Sequence, residues 1–201
     1  MTKSGSSHRG GSSKVLTKTQ VEIVKSYLTG RRNEYRNRVI FLLSVRAGLR
    51  SCEISGLRWN DVLNSDGEIG DTVTIRRLVS KGGYSGREIS LSKDLKASLI
   101  DLYTREFTNS EDYLVRSERG SQMSSQVIVN WFWSLYRKLN LVGCSSHSGR
   151  RTCITNWSRK IGSVGGSIYD VQFLAGHKNL STTQRYIEGD TNSRIKVVDL
   201  V

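Results

Sequence analysis

From Val39 to Val45 the chain reads VIFLLSV, and no other stretch limits the possible folds as tightly. It lies in a helix-favouring segment from about Asn33 to Ala47. Val39, Ile40, Phe41, Leu42, Leu43 and Val45 make that helix apolar nearly all round, and a helix of this kind belongs in the centre of the molecule. The remaining elements must pack around it. Proline is absent, so boundaries are read from Gly, Ser, Asn and Asp. Gly48 ends the central helix, Leu49 and Arg50 turn the corner, and Ser51 is placed to cap a short third helix carrying Ile54 and Leu57 inward. Upstream, Thr17-Lys18-Thr19-Gln20 is a capping-box pattern, followed by Val21, Val24 and Leu28 at helical spacing and closed by Gly30.

The texture then changes. Asn64-Ser65-Asp66-Gly67 is a turn cluster, and Thr72 to Val79 has the β-branched composition of a strand. Lys81-Gly82-Gly83-Tyr84-Ser85-Gly86 reads as a turn, and Glu88 to Leu91 as the returning strand of a hairpin. Helical spacing resumes near Ser92 with Leu95, Leu99, Leu102 and Phe107. It continues with Ile128, Trp131, Phe132, Leu135 and Leu139, then with a helix from near His147 through Ile154, Trp157 and Ile161. A loop at Gly162–Gly166 leads to a short helix with Ile168, Val171 and Leu174. The expected fold is mainly α with a small antiparallel β-sheet, an α+β class without internal repeats. Residues 1–14 read as a flexible basic Gly/Ser tail, 15–190 as one domain, and 191–201 as a C-terminal tail.

Lys and Arg outnumber Asp and Glu by 31 to 18, a formal net charge of +13. An excess of that size on a small chain points to a polyanionic partner, most often nucleic acid. Hydrophobic residues make up 36% of the chain and form no run long enough to cross a bilayer, so no membrane association is expected. Cys52, Cys144 and Cys153 lack CxxC spacing and do not cluster with histidines, which fits a reducing, cytoplasmic setting. His8, His147 and His177 are the only histidines, and no tight carboxylate cluster accompanies them. Neither a metal nor another cofactor is expected.

Ala175 to Tyr186 reads AGHKNLSTTQRY. After Gly176-His177 and a polar turn, Ser181 or Thr182 is placed to cap a new helix, with Tyr186 about one turn inside it. An imidazole and a phenol on either side of one turn can address the same atom. The plainer alternative is a loop histidine and a packing tyrosine. Arg50, with Glu53 one turn on, can aim its planar fork at a phosphate from a helix N-terminus, or form a surface ion pair. Lys81 opens the hairpin turn, where a lysine can swing onto a leaving group or stay solvated. His147 and Arg150, three apart at a helix start, share a face and suit an anion. Arg151 points about 100° away and reads as a backbone contact or surface group.

Taken in order, Gly-Leu-Arg50-x-x-Glu53, Lys81 in a hairpin, His147-x-x-Arg150, Gly176-His177 and Tyr186 resemble the catalytic domain of the tyrosine recombinases, also called phage integrases. The resemblance covers about 15–190 and keeps the nine-residue step from His177 to Tyr186. It implies that Tyr186 attacks a DNA phosphodiester, giving a 3′-phosphotyrosyl link and a free 5′-hydroxyl. It implies that Arg50 and Arg150 clamp the non-bridging oxygens and that Lys81 protonates the leaving 5′-oxygen. His147 and His177 would assist proton transfer and hold the phosphate, and Glu53 would buttress the site. The implied partners are double-stranded DNA, further copies of the chain in a tetramer assembled on DNA, and accessory DNA-bending factors. The apolar tail with Ile195, Val197, Val198, Leu200 and Val201 would dock in trans on a neighbouring protomer. Most members carry a separate core-binding domain ahead of the catalytic one, and here only about 16 residues precede the first helix. That pattern is expected of an isolated catalytic domain, or of a short member like the inversion recombinases of fimbrial switches.

The chemistry is coherent without a metal. Phenols titrate at about 10 and are poor nucleophiles at neutral pH, and a phosphodiester repels an attacking anion. Two guanidiniums offset the charge that builds in the transition state. A phosphotyrosine keeps roughly the free energy of the broken bond, so strand exchange needs no ATP, in keeping with the missing Walker motif. The expected function is site-specific recombination by integration, excision or inversion. The alternatives are a non-catalytic DNA-binding regulator on the same scaffold and a type IB-like topoisomerase.

Overall fold

The computed structural model describes residues 13–76 and 86–186. Along them run α1 (Lys18–Leu28), α2 (Glu34–Val45), α3 (Ser51–Gly56), a 3-10 turn at Trp59–Asp61, strands β1 (Thr72–Ile75) and β2 (Arg87–Ser90), and α4 (Lys93–Glu106). Then come α5 (Ser125–Lys138), α6 (Ser148–Lys160), a 3-10 turn at Ile161–Val164, α7 (Ile168–Ala175) and α8 (Leu180–Gln184). The α+β class read from the sequence is the one observed.

Helix α2 is the centre. Val39, Ile40, Phe41, Leu42 and Leu43 are wholly buried, and α1, α4 and α6 pack around them. Helix α1 opens with the expected reciprocal cap, Thr17 Oγ1 accepting from Gln20 N–H at 3.2 Å and Gln20 Oε1 from Thr17 N–H at 3.0 Å. Its Val21, Val24 and Leu28 are buried. The crossing of α2 and α6 is close: a Cβ added at Gly149 would lie 2.4 Å from Ser44 Oγ. Helix α3 packs on α5, and Trp59 closes the core beneath α4, edge-on to Tyr103 and Phe107.

The sheet is a two-stranded antiparallel hairpin with Val73 opposite Ile89 and Ile75 opposite Arg87. In β2 Arg87 and Ile89 face inward while Glu88 and Ser90 are exposed. The far end of the expected first strand and the turn with Lys81 lie outside the described residues, as do residues 1–12 and the C-terminal tail, while Lys14 of the expected N-terminal tail donates its N–H to Gly143 O at 3.1 Å.

Two helix starts differ from expectation in how they are capped. Arg50, not Ser51, is the N-cap of α3, because the Glu53 carboxylate folds back to accept from Arg50 N–H at 2.8 Å. Asn179, not Ser181 or Thr182, stands at the N-cap position of α8, without a side-chain capping bond, and Tyr186 falls just beyond the C-cap Arg185. Gly176, left-handed at φ 60°, has already reversed the chain, so the helix begins earlier and ends one turn sooner. No helix among the described residues is long and apolar enough to cross a membrane.

Candidate active site

A single buried carboxylate organises the site. Glu53 is fully buried and both its oxygens are shared among arginines. Oε1 accepts from Arg50 Nη1 and from Arg87 Nη1, each at 3.0 Å. Oε2 accepts from Arg87 Nη2 at 3.1 Å and from Arg50 N–H at 2.8 Å, with Arg150 Nη1 4.0 Å away. Burial pushes the Glu53 carboxyl upward, but the hydrogen bonds and charges of Arg87 and then Arg50 outweigh it and hold the pKa below the ordinary carboxylate value. Glu53 is therefore ionised at neutral pH.

The C-terminal end of α7 supplies the facing wall. Its carbonyls, left unpaired within the helix, receive the guanidiniums. Arg150 on α6 donates to Ala175 O at 2.7 Å and also to Gly48 O, which ties α6 to the turn between α2 and α3. Arg50 Nη2 lies 3.4 Å from Gly176 O, and Arg87 Nε donates to Leu174 O at 2.9 Å. Burial, then the neighbouring Arg50 charge, lower the Arg150 pKa to about 10, with Glu53 opposing, and the group stays cationic at neutral pH.

His177 follows that turn and is 8% exposed. Its Nε2 lies 3.0 Å from Arg150 Nη2 and its Nδ1 2.9 Å from Thr183 Oγ1 on α8. An arginine can only donate, so Nε2 must accept and the proton sits on Nδ1, donating to Thr183. Burial, then the charges of Arg150, Arg50 and Arg87, lower the His177 pKa to about 3. The imidazole is neutral, with both nitrogens engaged. Its ring stacks on Tyr186 at 5.7 Å between centroids and 20° between planes. Tyr186 is half-buried against Val171 and Ala175, and the Arg151 guanidinium lies 5.7 Å above its ring.

Arg50, Glu53, Arg150, His177 and Tyr186 are thus gathered from α3, α6, α7 and α8 into one cluster. The face inferred for His147 and Arg150 carries Arg150 into the interior, while His147 stands exposed at the N-cap of α6 with Nδ1 3.4 Å from Ser146 Oγ. Lys81 lies outside the described residues. Arg151, read as a backbone contact or surface group, is half-buried beside Tyr186, because α8 brings the tyrosine back over α6. Two residues went unread in the sequence, Arg87 and Thr183. The inward period of β2 held the signal for Arg87, since it stands two residues from the buried Ile89. Thr183 gave none, because only the fold sets it under His177.

Chemically, two cationic forks beside a phenol, held by one carboxylate and one neutral imidazole, suit an anionic ester presented to the phenolic oxygen. Known proteins carry the same arrangement of the chain. A family model described as the phage integrase family matches residues 14–193. The tyrosine recombinase XerC of Proteus mirabilis is 28% identical over 169 residues, covering 82% of this chain and 51% of that protein. The tyrosine recombinase XerA of Pyrococcus horikoshii is 28% identical over 186 residues, covering 89% of this chain and 58% of that one. The chain therefore spans little more than half the length of these relatives. In three dimensions it is similar to the crystal structure of XerA recombinase, with a TM-score of 0.72 at 20% identity over 92% of this chain and 64% of that one. It is also similar to the Tn1549 transposon integrase in complex with circular intermediate DNA, with a TM-score of 0.73 at 16% identity over 98% of this chain and 69% of that one. With 14–193 matched and the fold shared, the chain belongs to the phage integrase family.

Proposed function

We propose that this chain is the catalytic part of a site-specific DNA recombinase that cleaves and rejoins double-stranded DNA through Tyr186. The observation that carries the reading is the stack of Tyr186 on His177, which is bonded in turn to Arg150. A phosphodiester seated on Arg50 and Arg150 meets the phenolic oxygen beside it. That oxygen gives its proton to His147 and attacks phosphorus, the 5′-oxygen leaves with a proton from Lys81, and a 3′-phosphotyrosyl ester remains. Attack by a 5′-hydroxyl reverses the step and rejoins the strand. His177, with both nitrogens occupied, supports Arg150 and the tyrosine ring. Proton movement at the phosphate then falls to Lys81 and His147. Glu53 fixes the Arg50 fork.

Further copies of the chain, assembled as a tetramer on DNA, and accessory DNA-bending factors complete the proposed reaction, in a cytoplasmic, DNA-associated setting. The tail 191–201 docks in trans in this reading. Deletion of residues 193–201 is then expected to abolish assembly on DNA, and unchanged assembly and cleavage would remove the tail from the mechanism. The central test uses DNA flanking the protein's own gene, incubated with the wild type and with Tyr186→Phe. A protein–DNA adduct that survives denaturant with the wild type alone is expected. A specific gel shift from both proteins without an adduct would favour a DNA-binding regulator. Relaxation of supercoils without sequence preference would favour a topoisomerase.

A further inference from the structure

One arginine of the cluster cannot reach a ligand. The Arg87 side chain is 2% exposed and spends its fork on Glu53, at 3.0 and 3.1 Å. We propose that Arg87 is a positioning residue that neutralises Glu53, so that this carboxylate can orient Arg50 without cancelling the positive charge Arg50 and Arg150 offer to a phosphate. The inference rests on the phosphodiester chemistry proposed above.

The geometry gives the first reason. A carboxylate that accepts a parallel pair of bonds from a guanidinium is held in plane and in register. Glu53 keeps enough lone-pair capacity to accept from Arg50 N–H and Nη1 as well, so the orientation set by Arg87 passes directly to Arg50. Charge gives the second. Three guanidiniums share one carboxylate beside a neutral imidazole, which leaves two positive charges uncompensated. Without Arg87 the same carboxylate would leave one, in surroundings where a charge is weakly screened. The third reason lies in the turn behind the site. Arg87 Nε holds Leu174 O, and its guanidinium lies flat on Gly176, where an added Cβ would come within 2.7 Å of Nη1. The neighbouring carbonyls, Ala175 O and Gly176 O, are those that Arg150 and Arg50 address. A single buried side chain thus sets the backing of both the Arg50 and the Arg150 forks.

The test uses inorganic phosphate as probe, titrated at constant ionic strength, with the guanidinium resonances of Arg50 and Arg150 followed by NMR. Thermal unfolding checks that each variant is folded. The wild type is expected to show saturable shifts at both arginines. Arg87→Gln should weaken phosphate binding by roughly tenfold or more, and Arg87→Lys, which keeps the charge but not the paired bonds, by clearly less. The double variant Glu53→Gln/Arg87→Gln restores the wild-type net charge of the cluster and should recover most of the loss. A purely structural Arg87 predicts instead that the double variant binds as weakly as the single one, and that result would overturn the proposal. So would a folded Arg87→Gln that binds like wild type, a lysine variant as weak as the glutamine one, or a wild type whose arginines do not respond to phosphate. If Arg87→Gln does not fold, the double variant decides, since weak phosphate binding by a folded double variant is incompatible with charge compensation. A clamp that binds phosphate in a protein forming no DNA adduct would count against the recombinase reading and leave the role of Arg87 standing.

Discussion

His177 shows how burial turns a titratable group into a fixed dipole. Its neutral ring accepts from Arg150 and donates to Thr183, so protonation would break the first bond and set two cations against each other. A pKa lowered to about 3 in the folded chain, against an ordinary histidine value, means that the unfolded chain binds the extra proton first as pH falls. Stability is therefore full above the ordinary histidine range and declines as pH drops through it, by up to about 1.4 kcal/mol per pH unit. Urea unfolding at pH 7 and pH 5 should show this slope in the wild type and a flatter one in His177→Asn. The depressed Glu53 acts in the same direction, but only at lower pH, within the carboxylate range. Replacing Thr183 by Val keeps the shape and removes the acceptor for Nδ1–H. That should cost about 1–3 kcal/mol for an unpaired buried donor, read in the same unfolding experiment. Of these residues, Arg50, Arg150, His177 and Tyr186 were legible because their spacing in the chain is itself the signal. Thr183 was not, since its role depends on a contact across 6 positions that no local pattern encodes, and for Arg87 the alternation of β2 gives the inward face but not the Glu53 partner 34 positions away.

Among the elements, the crossing of α2 and α6 carries the tightest constraint. Gly149 sits where the next heavy atom would be Ser44 Oγ, and that hydroxyl is buried without a hydrogen-bond partner among the described residues. Alanine is the better helix former by about 1 kcal/mol, yet Gly149→Ala should destabilise the protein by about 1–3 kcal/mol because the core cannot yield there. Ser44→Ala removes an unsatisfied oxygen and should be near neutral alone. Combined with Gly149→Ala it should recover part of the loss, which a double-mutant cycle in urea would measure. The elements themselves were largely readable. The all-round apolar α2 and the capping box of α1 appear where periodicity and cap chemistry put them. The starts of α3 and α8 were misplaced, since a serine or threonine suggests a cap only if no other group reaches the free N–H first. At α3 the Glu53 carboxylate reaches it, and at α8 the reversal at Gly176 moves the start to Asn179.

At the scale of the molecule, a net charge of +13 should appear as salt-sensitive binding to duplex DNA. The logarithm of affinity should fall linearly with that of salt, by a slope of about 0.9 for each phosphate contacted. Fluorescence anisotropy with a labelled duplex between about 50 and 200 mM salt would measure it, and a flat response would detach the charge excess from DNA binding. The cluster around Glu53 has a further consequence, which concerns time. Arg50 meets Gly176 across 126 positions, and Tyr186 is placed only after both. During synthesis from the N-terminus, the arginines emerge well before Tyr186 and the turn that receives them. A chain truncated before α8 keeps Arg50, Glu53 and Arg150 but lacks Thr183 and Tyr186, the two partners of His177 on its far side. Completion of the cluster is thereby tied to completion of the fold, with its last partners supplied by the last helix.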